Sequence, residues 1–276
     1  MKKIISYLAQ TLLLILRNKL GSYFIDSLLK QQFNKTKKIV YDKSSSFLLS
    51  VPNRLSLYRA KTYFTKEPET IEWIKSFSPK SVLWDVGANI GLYSLFAAKE
   101  KDCEVIAFEP SVFNLELLAR NISLNNLSKQ ITIFPLALSS KESSGLFNMS
   151  SPEWGGALST FDKNFNQYGK EMDVKFKYQL MGVSGDFIIK QMKLKQPLYL
   201  KIDVDGVEHI ILKGMKKSLS KVKSILVEIN DDFDNQINTT KRLLTSAGFS
   251  LKRKCLKGVP EGVTLYNQWW INNKLN

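Results

Sequence analysis

The sequence predicts an α/β domain on a mostly parallel sheet, preceded by a basic, helix-rich extension. Three observations carry that prediction. From residue 80 onward, short apolar runs alternate with segments of helical period, the pattern of strands joined by crossover helices. The first such run ends in a glycine turn, Trp84-Asp85-Val86-Gly87-Ala88-Asn89-Ile90-Gly91. Carboxylates recur where later strands end, at Glu109, Asp203 and Glu228, the edge at which open α/β sheets bind their ligands.

The elements follow in chain order. Residues 2–33 read as two helices separated by Gly21-Ser22, where the serine can cap the second. Ile4, Ile5, Leu8, Leu12, Ile15 and Leu16 recur at helical spacing, and Leu13 and Leu14 widen the stripe. The run stops at Arg17, short of the roughly 20 apolar residues that span a bilayer, and no small-x-small cleavage site follows. This stripe either packs on the domain or a second copy, or lies in a membrane interface beside Lys2 and Lys3. Residues 38–51 suit a short hairpin around 42–46, and 56–66 favour no element. Glu67-Pro68-Glu69 opens a helix to Phe77, with proline in its first turn. Residues 1–66 thus form the extension and 67–276 the α/β domain.

Within that domain, 81–84 reads as a strand and 91–99 as a helix. Strand 104–108 precedes a helix over 111–124, and 131–134 is a third strand. Less regular sequence follows, including the Gly/Pro/Ser-rich loop around Trp154-Gly155-Gly156, before an extra strand at 174–181 and a helix at 186–192. Strand 198–202, helix 207–219, strand 222–229 and helix 239–247 continue the alternation. The last two strands, 248–254 and 264–271, have no helix between them and predict an antiparallel hairpin at one sheet edge.

Composition narrows the class. With 276 residues, 44% apolar and 24% charged, the chain is neither disordered, collagen-like nor disulfide-stapled. Cys103 and Cys255 lack a CxxC context and read as free thiols, in keeping with a cytoplasmic setting. The net charge of +15 is uneven: residues 1–66 hold 13 Lys and Arg against Asp26 and Asp42, and the remainder is close to neutral. A basic arm favours anionic partners, among them membrane headgroups and phosphorylated glycans. No compact basic-aromatic motif is present, which disfavours nucleic acid.

The turn at 85–91 has the glycines of a nucleotide site without the dinucleotide pattern, because Asn89 occupies the second glycine position of GxGxxG. Gly87 permits a tight turn and Gly91 a close approach at the helix start. Asp85 suits a cationic amine, which favours an amino-acid-bearing nucleoside over a diphosphate. Glu109 lies 22 residues beyond Gly87, near the spacing at which an acid receives ribose hydroxyls. The run Lys201-Ile202-Asp203-Val204-Asp205-Gly206-Val207-Glu208-His209 gathers three carboxylates and the chain's one histidine after a buried strand. Such a cluster can supply a base, here Asp203 supported by Glu208, His209 or Glu228. It can equally hold Mg²⁺, with Asp203, Glu228 and Asn230 as the oxygen ligands.

The blocks VLWDVGANIGLYSLFA, VIAFEPSVFNLELLARNISLN and LYLKIDVDGVEHIILKGM, with FPLALSS and ILVEIN, resemble FkbM-type methyltransferases in order and spacing. That resemblance covers about residues 68–231. It implies a class I, Rossmann-like methyltransferase fold with sheet order 3-2-1-4-5-7-6, S-adenosylmethionine as cofactor, and O-methylation of a hydroxyl. The acceptor it implies is a sugar of a polysaccharide, glycolipid or glycosylated natural product. Gly87 to Gly91 would then approach the methionine part, Asn89 would orient its carboxylate or amine, and Glu109 would bind the ribose. Ala137 and Leu138 would flank the adenine, and loop 139–170 would border the acceptor. Asp205 stands where the family's block has glutamate. A nicotinamide oxidoreductase, a glycan- or membrane-binding adaptor and an RNA methyltransferase are the alternatives.

Overall fold

The computed structural model describes residues 2–16, 18–43, 45–256 and 264–275. Arg17 and Ser44, with the side chains of Ile5, Leu13 and Ile15 in the predicted stripe, lie outside the described residues. The central sheet comprises β1 (Val82–Val86), β2 (Glu104–Phe108), β3 (Ile131–Phe134), β4 (Tyr199–Ile202), β5 (Ser224–Asn230), β6 (Phe249–Leu256) and β7 (Leu265–Asn272). Their order is 3-2-1-4-5-7-6, as expected. Strand β7 runs antiparallel to β5 and β6, and the other pairings are parallel.

Alternation along the strands divides the core between two faces. Trp84, Val86, Ile106, Phe108, Leu200 and Ile202 pack on one side with Ile188 and Ile211. Leu83, Val105, Ala107 and Tyr199 face the other, against Leu95 and Phe96 of the Leu92–Lys101 helix. Asp85 and Lys201 share this second face, paired in register across β1 and β4.

The extension divides in two. The hairpin Thr36–Val40/Ser46–Ser50 and the helices Arg54–Lys61 and Tyr63–Lys66 join the second core through Ile39, Phe47, Leu49, Val51, Ala60 and Tyr63. Two asparagines, Asn121 in the Val112–Leu124 helix and Asn125 at its C-cap, serve the hairpin's inner strand: the Ser50 N–H donates to Asn121 Oδ1 at 2.7 Å, and the Leu48 N–H to Asn125 Oδ1 at 2.9 Å. By contrast, the helices Lys2–Ile15 and Lys19–Phe33 stand largely exposed. Their break falls at Asn18, whose side chain caps the second helix through the Gly21 N–H at 2.8 Å. Gly21 itself lies inside that helix, where a Cβ would meet the Leu16 carbonyl oxygen at 2.2 Å.

The stretch read as irregular after β3, together with the extra strand expected at 174–181, forms a second sheet. Ala137–Leu138, Ser143–Met149, Ser159–Phe161 and Phe176–Val183 make its four strands. Ser143–Met149 is rich in serine, glycine and asparagine and lacks β-branched residues, so its propensity is poor. It is held by antiparallel pairing with the distant Phe176–Val183, and tertiary context overrides propensity. Two helices also shift: the one after β4 spans only Glu208–Lys213, and the one after β5 begins early, at Asp234.

Phe47 is fully buried, its ring 5.4 Å from that of Tyr63. Phe47→Ala is expected to cost about 3–5 kcal/mol of unfolding free energy in urea. A loss below about 1 kcal/mol would show that the hairpin is not part of the cooperative core.

Candidate functional site

Two adjoining cavities open at the carboxyl edge of the sheet, and the turn after β1 separates them. The first has about 580 Å³ of unfilled space, its open mouth included. Phe108, Ala137, Leu138 and Phe161 give it apolar walls, and Glu109 and Ser111 provide polar groups. The second is walled by Arg59, Tyr63, Lys66 and Glu67 from the extension side, and by Tyr93 and Lys201. Gly87, Asn89 and Asp203 border both.

Gly87 has φ +83°, and a Cβ there would lie 2.0 Å from the Asp203 carbonyl oxygen. Only glycine lets the β1 turn approach the β4 turn this closely. Gly91, also at positive φ, faces Leu118 of the Val112–Leu124 helix, where a Cβ would come within 2.6 Å of its side chain.

Glu109 is buried in the wall of the first cavity. Its carboxylate accepts the Asn89 N–H at 2.7 Å and the Ser111 N–H at 2.8 Å. Burial raises its pKa from 4.5 to about 7, and those same hydrogen bonds hold it from going higher. One acid thus joins the turn after β1 to the start of the helix after β2. Ala137 and Leu138 line this cavity.

Other predicted residues take different places. Asn89, at φ +52°, turns its side chain across the cavity, and its amide donates to the Gly156 carbonyl at 2.6 Å. It therefore holds the cavity's roof. Asp85 lies beneath the turn, outside both cavities, accepting the Ser94 hydroxyl at 2.6 Å. Burial raises its pKa, with Lys201 and Ser94 opposing.

Asp203 sits at the shared rim, 2.9 Å from the ammonium of buried Lys201. Lys201 also lies 5.1 Å from the ring centroid of Tyr93. Tyr93 in turn donates its hydroxyl to Glu67 at 3.1 Å. The Tyr63 hydroxyl, on the wall of the second cavity, is buried with no hydrogen-bond partner among the described residues.

Glu208 and His209 do not reach either cavity. Glu208 accepts the N–H groups of Val204 and Gly206 at 3.1 Å, and also the Gln236 side-chain amide. It closes the turn after β4 from below, where Asp205 and Gly206 take positive φ. Burial lifts its pKa from 4.5 to about 7 against those hydrogen bonds. His209 faces a separate surface groove, its Nε2 3.3 Å from Asn235 Nδ2. Burial, with Lys213 and Lys163 nearby, lowers its pKa to about 4. The magnesium ligand set is not assembled either. Asn230 spends its side chain on the Gln167 carbonyl, the Asp232 N–H and the Thr264 hydroxyl, and Glu228 is buried within β5. Among the described residues, no group of three His, Cys, Asp or Glu side chains could hold a metal ion.

The sequence reading missed how the 151–158 segment is tied down. Asn53 donates to the Trp154 carbonyl at 2.9 Å and Arg59 Nε to the Gly155 carbonyl at 2.7 Å. Asn114 accepts the Gly155 N–H and donates to the Gly156 carbonyl, at 3.0 and 3.1 Å. Asp205 accepts the Leu158 N–H at 2.7 Å. The glycine pair Gly155-Gly156 was the visible signal. Its partners are 40 to 100 residues away in sequence, so nothing local announces them.

The raised pKa of Glu208 has a consequence for stability. Between its unfolded value near 4.5 and about 7, the folded state binds more protons than the unfolded one, so this group's contribution falls as pH rises. His209 slopes the other way between about 4 and 6.5, so a difference measurement is needed. The unfolding free energy of the parent minus that of Glu208→Gln, from urea titrations, is expected to drop between pH 5 and pH 7.5. A constant difference would contradict the shift.

Residues 85–251, from the end of β1 into β6, match the family described as the methyltransferase FkbM domain. Hexuronic acid methyltransferase AglP of Haloferax volcanii is 29% identical over 169 residues, 61% of this chain and 63% of AglP. The matched stretch thus spans less than two thirds of that relative. Methyltransferase 1 of Beauveria bassiana is 24% identical over 206 residues, 70% of this chain and 82% of that protein. The crystal structure of methyltransferase FkbM from Methylobacillus flagellatus KT has a TM-score of 0.48 at 17% identity, covering 79% of this chain and 55% of that one. The family match takes in the turn after β1, Glu109 and the turn after β4, and on it the chain belongs to the FkbM methyltransferase family.

Proposed function

We propose that the protein is an S-adenosylmethionine-dependent O-methyltransferase acting on a sugar hydroxyl. The observation that carries this reading is the pair of cavities meeting at Gly87, Asn89 and Asp203. The first suits an adenosine, with Glu109 ready to accept ribose hydroxyls and the Ala137 and Leu138 side for the base. The second offers basic Arg59 and Lys66 beside acidic Glu67, a mixed lining that suits the zwitterionic amino-acid end. The buried Tyr63 hydroxyl fits a ligand carboxylate as its missing acceptor. When bound, the cofactor supplies a methyl group already activated on a sulfonium.

The chain's own residues then have three tasks. The turn after β1 and the roof at Gly156 fix the geometry and exclude water, and such positioning can supply about 7–11 kcal/mol of a barrier. Asp203, at the rim of both cavities, takes the acceptor's proton. Its carboxylate lies 2.9 Å from the Lys201 ammonium, which holds it in place at the rim. A carboxylate is basic enough, because a hydroxyl that is gaining a methyl group becomes a strong acid as the bond forms. The sugar acceptor is supported by the likeness to a relative named a hexuronic acid methyltransferase. Nothing in the geometry favours a nicotinamide: Asn89 fills the place where a second glycine would admit a pyrophosphate.

Two measurements test the reading. Labelled methyl transfer from S-adenosylmethionine to soluble and lipid-linked glycans should occur, and Asp203→Asn should lower turnover at least about a hundredfold, as loss of a general base does, with cofactor binding retained. Full turnover by that variant would remove Asp203 from the chemistry. Tyr63→Phe deletes one hydroxyl. It should weaken S-adenosylhomocysteine by about 0.5–1.5 kcal/mol and leave 5′-methylthioadenosine, which lacks the amino-acid end, unchanged by calorimetry. Equal weakening of both ligands would move the amino-acid end elsewhere.

A further inference from the structure

The helices Lys2–Ile15 and Lys19–Phe33 carry an apolar face that the rest of the protein leaves uncovered. Ile4, Tyr7, Leu8 and Leu12 on the first helix, and Leu20, Tyr23, Phe24 and Leu28 on the second, repeat one spacing (i, i+3, i+4, i+8). That spacing places each quartet on one side of its helix. All eight are about half exposed or more, Leu20 at 83%. Large aromatic and aliphatic side chains so exposed along two successive helices exceed the scattered apolar residues of an ordinary surface.

Charge decides among occupants. Residues 1–43 hold nine Lys and Arg against Asp26 and Asp42, and the first helix contains no acid. A second copy of the same face would set two basic segments against each other. An anionic lipid surface instead offers hydrocarbon for the quartets and negative headgroups for the lysines, with Tyr7 and Tyr23 at the boundary between them. Neither helix crosses the bilayer: they are 14 and 15 residues long, and among the described residues no helix is long and apolar enough to do so.

We propose that residues 2–33 form an interfacial anchor that lays the protein on an anionic membrane. The anchor is coupled to the site. At the end of the second helix, Phe33 packs against Trp154 of the roof, with ring centroids 5.5 Å apart. The Arg120 guanidinium lies 3.9 Å over the same Phe33 ring, and Gln32 donates to the Pro52 carbonyl at 2.7 Å. A membrane under these helices therefore adjoins the segment that roofs the first cavity. The inference stands independently of the methyl-transfer reading.

The experiment is flotation of the full chain with vesicles of phosphatidylcholine alone and of phosphatidylcholine with about one third phosphatidylglycerol. The expected result is recovery with the anionic vesicles, reduced at high salt and weak on the neutral ones. The double substitution Leu8→Glu, Leu12→Glu should lower the partition coefficient at least tenfold, with an unchanged melting temperature because both side chains are exposed. Absence of flotation by the parent chain, or binding indifferent to lipid charge, overturns the proposal. So does a concentration-dependent dimer in light scattering that the same substitutions abolish, since the face would then be an interface between copies.

Discussion

The carboxyl edge of the sheet depends on how closely the turn after β1 approaches the turn after β4. A Cβ at Gly87 would overlap the Asp203 carbonyl oxygen, so the two turns meet only with glycine there. From that contact the rest follows. Gly87, Asn89 and Asp203 become the partition between two cavities. The Asn89 N–H is set where Glu109 can accept it, and the Asn89 amide points across to Gly156. A larger side chain at 87 would separate the turns and open the partition.

Burial of charge is the second constraint, and the protein meets it in two ways. Lys201 is buried but keeps Asp203 at 2.9 Å and Tyr93 over its ammonium, so the desolvated cation is compensated. Glu208 and Glu109 are buried without a cationic partner at hydrogen-bond distance among the described residues, and backbone N–H groups take that place. Both therefore have raised pKa values, Glu208 as the brace of a strained turn and Glu109 as a cavity wall. Position and hydrogen-bond partners, rather than residue type, separate the acid that can meet a ligand from the one that supports the loop.

The extension is bound into this arrangement. Its hairpin and the helices Arg54–Lys61 and Tyr63–Lys66 join the core cluster on the sheet face that carries Asp85 and Lys201, and the two helices supply Arg59, Tyr63 and Lys66 to the second cavity. Asn53 and Arg59 also fasten the 154–155 segment. A line drawn at residue 66 by charge and composition thus crosses a continuous core, because net charge reports surface and not packing. Among the described residues, the helices Lys2–Ile15 and Lys19–Phe33 contribute nothing to that cluster.

By itself, the sequence determined the alternation of strands and helices, the glycine turn, the acid at 109 and the edge where the site lies, because strand and helix periods and turn glycines are local signals; the sheet order came only with the resemblance to FkbM-type methyltransferases. Asn89 could be read there as the residue that departs from a dinucleotide turn, but its bond to Gly156 crosses 67 residues and was not legible. The acidic block at 203–209 looked like one cluster because its members are adjacent in sequence. Tertiary structure separated them: the chain turns at Asp205 and Gly206, so Asp203 faces the cavities, Glu208 turns back on the loop and His209 faces another groove. The second sheet, the roof and the extension's part in the site were likewise decided by long-range pairing, which leaves no periodic trace in any one segment.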